Sequence, residues 1–142
     1  YNMAIGKRFV QIFESNDGLN NWKLFKVIKI KDINGNLLKN YSIYAMTVTK
    51  LKNKYISLIR YSDLFDAATL NSSYKLYYAT SEDGITFKLK QVVKNNEYWP
   101  CYGHMFNNNK ISLFFNNEIG NVGKIIVDDN FNIQIVDNLF NL

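Results

Sequence analysis

The 142-residue sequence contains one cysteine, one proline and one histidine. A lone Cys101 excludes a disulfide within the chain, and with only His104 beside it a zinc centre built on Cys and His is excluded as well. No stretch of about 18 consecutive apolar residues is present, so no segment reads as a membrane-crossing helix. The opening residues Tyr1-Asn2-Met3-Ala4 lack the charged-then-apolar order of a secretory leader. A start at Tyr1 reads as a trimmed or partial polypeptide. Basic clusters are missing too. The formal charge is +5, but Lys29, Lys31, Lys39, Lys50, Lys52 and Lys54 are scattered and mostly alternate with apolar residues. That is the pattern of strands with one solvated face, not of a stripe that tracks a phosphate backbone. Nucleic acid and membrane are therefore not expected as partners, and no cofactor or metal is expected.

Aromatic and β-branched residues are abundant. Ten Tyr, ten Phe and two Trp make up 15% of the chain, and hydrophobic residues 47%. This composition builds strands and fills a core, and the length is that of one domain. The expected class is all-β.

Two short turns organise the pattern. Ser81-Glu82-Asp83-Gly84-Ile85-Thr86-Phe87 sits between strand-like runs 74–80 and 88–93. Asp83 can bond the turn backbone, Gly84 can take a positive φ, and Phe87 restarts the strand with its ring expected to cover the turn. Ser15-Asn16-Asp17-Gly18 followed by Trp22 has the same order and comparable flanks, with 7–13 and 22–31 expected as one hairpin. Asp32-Ile33-Asn34-Gly35 is a further turn. Residues 43–51 and 55–61 form a hairpin around Lys52-Asn53-Lys54, and it too has a copy. Trp99-Pro100-Cys101-Tyr102 aligns with Tyr44-Ala45-Met46-Thr47, and Ile111-Ser112-Leu113 with Ile56-Ser57-Leu58. Ser62 to Ser73 reads as a long loop in which Ser62-Asp63 could cap one helical turn. A last hairpin is expected around Asp128-Asp129-Asn130. The order is a half unit over 1–36 and two units of four antiparallel strands over 37–95 and 96–142, close to β-propeller blades in size.

The Ser-x-Asp-Gly-x-Thr-Phe turn and its looser copy resemble the Asp-box-like turns of sialidases and of five-bladed β-propeller glycosidases, the arabinanase, β-xylosidase, invertase and levansucrase group. Tyr44-Ala45-Met46 with 54–58, and Trp99-Pro100 with 111–115, resemble the innermost hairpins of those blades. The resemblance implies about two and a half blades of antiparallel four-stranded sheet, a C-terminal part of a propeller. It would be completed by further blades of the same protein or by another copy, and carbohydrate would be the partner. It also implies that Ser15, Asp17, Gly18 and Trp22, like Ser81, Asp83, Gly84 and Phe87, are structural turn residues and not catalytic ones.

Hydrolysis of a glycoside needs two carboxylates across the scissile bond. The innermost-strand candidates 43–49 and 99–106 contain neither Asp nor Glu. Glu97 is the one candidate acid nearby, weighed against an ordinary rim carboxylate. The catalytic pair is thus expected outside this chain, and enzyme activity depends on its completion. Tyr44, Trp99, Tyr102 and His104 are the expected sugar-binding residues, through ring stacking and a hydroxyl bond. For Met46 and Cys101 packing is the preferred reading, and a Cys101–His104 nucleophile pair the disfavoured one. A non-catalytic glycan-binding or protein-interaction propeller or β-sandwich module is the alternative.

Overall fold

The computed structural model describes residues 8–63, 65–66, 71–72, 74–95 and 98–140. Strand accounts for 63% and helix for none of it, and the sheet curls into a half-barrel. The strands are β1 (Gln11–Glu14), β2 (Lys23–Val27), β3 (Lys29–Lys31), β4 (Ser42–Leu51), β5 (Lys54–Ser62), β6 (Phe65–Asp66), β7 (Asn71–Ser72), β8 (Lys75–Ser81), β9 (Thr86–Lys94), β10 (Tyr98–Asn107), β11 (Lys110–Asn117), β12 (Val122–Val127) and β13 (Ile133–Val136). They form a five-stranded sheet in the order β3-β9-β8-β5-β4, a four-stranded sheet β10-β11-β12-β13, and two small hairpins, β1-β2 and β6-β7.

The period-2 pattern of β5 explains why two cores form. Ile56 and Leu58 point to one side, where they join Leu76, Tyr78 and Val93 of their own sheet and Ile111, Leu113, Phe115, Ile125 and Val127 of the four-stranded sheet. Ile59 and Tyr61 belong to a second cluster with Ile30, Tyr41, Ile43, Ala79, Phe87 and Leu89. β5 is thus packed on both faces. The two sheets are also pinned by polar contacts at one end. The Tyr78 hydroxyl donates to the Phe131 carbonyl at 3.1 Å, and Lys52 Nζ lies 3.2 Å from the Asp129 carboxylate. In the four-stranded sheet, Gly123 lies opposite Phe115. A Cβ at Gly123 would stand 2.4 Å from the Phe115 ring and 2.9 Å from the Val136 carbonyl.

Three sequence expectations are corrected. Residues 22–31 do not run as one hairpin strand. The chain breaks at Ile28, and β3 pairs in parallel with β9, Ile30 against Phe87. Burial decides this: Ile28 and Ile30 are sunk in the second core, whereas every residue of β2 is exposed. The first sheet therefore carries a fifth, parallel strand that an antiparallel unit of four does not include. Next, the helical turn after Ser62-Asp63 gives way in part to strand, with Phe65–Asp66 pairing with Asn71–Ser72. Finally, Phe87 does not cover its turn. It is fully buried in the second core, and the Tyr55 ring lies against Gly84 instead.

The two serine turns are built alike. Asp83 Oδ1 accepts the backbone N–H of Ile85 (2.9 Å) and Thr86 (2.8 Å) and the Ser81 hydroxyl (3.0 Å), while Ser81 Oγ accepts the Gly84 N–H at 2.9 Å. Asp17 Oδ1 takes the same bonds from Leu19 (2.9 Å), Asn20 (2.8 Å) and Ser15 (2.9 Å), and Ser15 Oγ that of Gly18 (3.1 Å). Gly18 and Gly84 have φ of 72° and 73°, which glycine adopts without strain. The surroundings differ. Phe87 is buried, whereas Trp22, the first aromatic residue after the other turn, is 56% exposed on a hairpin that is mostly solvated.

Gly123→Ala should lower the unfolding free energy by about 1–3 kcal/mol, because the methyl group meets backbone as well as ring; a denaturation midpoint equal to wild type would contradict the packing described. Asp83→Ala should destabilise the whole domain by about 1 kcal/mol, in the range of a lost backbone cap, and Asp17→Ala should leave the global midpoint nearly unchanged. Bonds from Thr86 and then Ile85 hold the Asp83 carboxyl below its ordinary value of 3.8. The folded-state value is depressed, so the stabilisation is complete above 3.8 and is lost as pH falls below it. Urea titrations between acid and neutral pH should therefore show a shallower acid decline for Asp83→Asn than for wild type.

Candidate functional site

The two strands expected to line a pocket, β4 and β10, are edge strands of their own sheets and lie side by side. Their near ends are joined by aromatic rings. Tyr44 meets Trp99 edge to face, with centroids 4.5 Å apart and planes at 82°. Tyr74 approaches Tyr44 at 5.4 Å and 83°. Two guanidinium groups complete the cluster. Arg8 lies 4.1 Å from the Tyr44 centroid, and Arg60 lies 3.8 Å from that of Trp99, 5.3 Å from Tyr44 and 5.6 Å from Tyr74. These distances place both cations within the field of the ring quadrupoles. Ser42 braces the cluster from below. Its Oγ accepts the Arg8 N–H at 3.1 Å and shares a 2.8 Å hydrogen bond with the Tyr74 hydroxyl.

Further along β10 the chain leaves the ladder. Pro100 pairs with Phe115 and His104 with Leu113, so three residues, 101–103, stand opposite Phe114 alone. A bulge re-aims the side chains it carries. Pro100 is tolerated because β10 is an edge strand. Gly103 adopts φ 136°, a conformation that other residues avoid. The result is that Tyr102 is thrown outward, 87% exposed. Tyr102, Gly103 and His104 then face Met46, Thr47, Val48 and Thr49 of β4 across a cleft of about 180 Å³ floored by Leu113. The cleft is open and smaller than a drug-sized pocket.

The expected sugar-binding residues therefore fall into two places. Tyr44 and Trp99 meet in the arginine-braced cluster, and Tyr102 and His104 line the cleft at the bulge. One face of Trp99 is covered by Arg60, so the open platform is Tyr102. Met46 lines the cleft while packing against the second core. The Cys101 thiol donates to Asn116 Oδ1 at 3.3 Å, and burial pushes its acidity down and its pKa up. That is the opposite of what a thiolate nucleophile needs. The His104 ring packs against Phe106, at 5.5 Å and 90°. Glu97 lies outside the described residues. β4 and β10 carry no Asp or Glu, and no group of three or more His, Cys, Asp or Glu comes together among the described residues. Ser15, Asp17 and Gly18 stand in the β1-β2 turn and Ser81, Asp83 and Gly84 in the β8-β9 turn, where their polar groups are spent on backbone.

Arg8, Arg60, Tyr74 and the threonines of β4 were not singled out from the sequence. Arg60 had a signal: it is the one charge in the run Tyr55 to Tyr61, which is apolar or aromatic apart from Ser57. Such a residue needs partners in the fold. Replacing it tests the cluster. Arg60→Ala should lower stability by about 1–3 kcal/mol through lost ring stacking and stem packing. It should also change the near-ultraviolet circular dichroism of Trp99. Arg60→Lys keeps the charge but not the planar fork, so it should recover less than half of the loss; full recovery would mean that charge alone matters there.

A scan of protein-family models finds none that matches the chain, and a search of characterised proteins finds no match.

Proposed function

We propose that this chain supplies the wall and scaffold of a carbohydrate-binding site in a β-propeller-type protein related in build to the five-bladed glycosidases. The observation that carries the reading is Tyr102. An aromatic side chain held 87% in solvent by a three-residue bulge gains nothing for folding, while an open ring beside polar groups suits the apolar face of a sugar. His104, the first paired residue after the bulge, and the Thr47 and Thr49 hydroxyls across the cleft can bond sugar hydroxyls. The strand order supports the propeller part of the reading. β4-β5-β8-β9 and β10-β11-β12-β13 are successive four-stranded antiparallel arrays whose first strands lie together. Residue composition supports a binding role for this chain. Without a carboxylate on β4 or β10, the acid and base of a glycosidase would have to stand on other blades. The same absence favours a glycan-binding module as the second reading.

Titration with neutral arabino-, xylo- and fructo-oligosaccharides tests both. Binding is followed by ¹H–¹⁵N shifts of residues 46–49 and 102–104, which line the groove. At least one series should give saturable binding in the millimolar range, about −4 kcal/mol. Tyr102→Ala should weaken it about tenfold or more, in line with about 1–3 kcal/mol for a lost stacking platform. No saturable response to any series, or a Tyr102→Ala protein that binds like wild type, would overturn the proposal.

A further inference from the structure

The β1-β2 hairpin repeats β8-β9 more closely than a shared serine turn requires. Both ladders carry a bulge, and it falls at the same place. On β1 the register shifts between Ile12, opposite Lys26, and Phe13, opposite Leu24, which leaves Phe25 as the extra residue. On β8 it shifts between Tyr78, opposite Gln91, and Ala79, opposite Leu89, which leaves Lys90. Counted back from Ser15 and Ser81, Ile12 matches Tyr78 and Phe13 matches Ala79. The faces match as well. Ile12 packs on the second core and Tyr78 on the first, each toward the layer that follows in the chain. Phe13 and Leu24, like Ala79 and Leu89, point the other way.

The two hairpins differ in what surrounds them. β8 has β5 along its other edge, with Tyr55 to Tyr61 paired to Ser81 to Lys75. β1 has no such strand, since its sheet consists of β1 and β2 alone. Among the described residues, no backbone bond of the turns and loops engages Gln11, Ile12, Phe13 or Glu14. On the face, Ala79 and Leu89 are buried, whereas Phe13 is 50% and Leu24 52% exposed, with Val27 open beside them. Exposed apolar clusters of this kind mark interaction surfaces. The edge is also unprotected. Strands that end a sheet in water are usually blunted by proline, a bulge or charge. β1 has no proline, its bulge places the extra residue on β2, and its one charge, Glu14, stands at its last position.

We propose that the free edge of β1 is a docking site for an antiparallel β-hairpin of a partner protein, which pairs with β1 as β4-β5 pairs with β8. Main-chain bonds along the edge supply the affinity, and alternate side chains set the register. The added strand continues an interface that is already present. Val10 and Ile12 cover part of the second core, and apolar residues placed next to Ile12 extend that cover. A second copy of the chain does not provide such a hairpin, because its β4-β5 is bound within its own sheet. The partner therefore brings a separate hairpin with apolar residues at alternate positions. Neither β1 nor β2 lines the groove between β4 and β10, so the inference is independent of sugar binding.

The test is a ¹H–¹⁵N titration of the intact labelled chain with a synthetic peptide of residues 42–62, the β4-β5 hairpin itself. In the copied register Leu58 stands opposite Ile12, on the core side, and Ile59 opposite Gln11, on the open side. The peptide should give saturable shifts at residues 11–14 and slow their amide exchange about tenfold or more. Leu58→Asp in the peptide should weaken binding about tenfold, because the carboxylate meets the apolar layer, and Ile59→Asp about threefold or less, because that side is open to water. No shift at residues 11–14, equal shifts with a peptide of scrambled sequence, or equal loss for the two peptide variants would overturn the proposal. Sedimentation of the chain alone as a dimer that Phe13→Ser dissociates would also overturn it, by assigning the edge to a second copy.

Discussion

Strand β5 has no solvent face, and the rest of the molecule follows from that constraint. A strand buried on both sides needs apolar residues at consecutive positions and a layer against each face. Ile56, Leu58 and Ile59 meet the first demand. The four-stranded sheet supplies one layer, closing over Ile56 and Leu58. On the other side, β3 with the segment through Tyr41 and Ile43 closes over Ile59 and Tyr61. The two layers are unequal. The first is a broad sheet whose own residues alternate cleanly into the core. The second is assembled from short pieces, β3 and the segment through Tyr41 and Ile43.

Much of this was legible in the sequence because it depends on local chemistry. Serine, aspartate and glycine at fixed spacing specify a turn wherever they stand, and residues 15–18 and 81–84 form nearly identical bonds. The recurring Ile-Ser-Leu also carried real information, since Ile56, Leu58, Ile111 and Leu113 all enter one core. The parts that were not legible depend on pairing between distant segments. Nothing local tells Ile28 to leave one hairpin and Ile30 to lie beside Phe87 in parallel. That choice is made by the space left open beside β9. The aromatic residue after each turn shows the same limit. Phe87 and Trp22 are each the first aromatic residue after their turn, yet one is buried and the other is half in water, because β9 has a core beneath it and β2 does not.

The candidate site divides along the same line. That Tyr44 and Trp99 hold equivalent places on two repeated strands could be read from the sequence. That Arg60 would lie over both could not, because its reach depends on how closely the two sheets approach. Pro100 and Gly103 hinted at irregularity in β10, but which side chain a bulge turns outward depends on which pairs survive around it. The carboxylates show the reverse situation. Their absence from β4 and β10 is a sequence fact that the structure makes meaningful, since those strands do face one another.

The irregular course of β10 also bears on self-association. An exposed sheet edge is a template on which another molecule can add a strand, and such edges are a common origin of aggregation. β10 is an edge with an apolar composition, yet Pro100 has no N–H to offer, and the backbone of residues 101–103 has left the plane of the ladder. Regular spacing of the kind a foreign strand would require survives in two short stretches, Tyr98 to Pro100 and His104 to Asn107. The distortion that exposes Tyr102 therefore also shortens the edge on which chains could stack into fibrils.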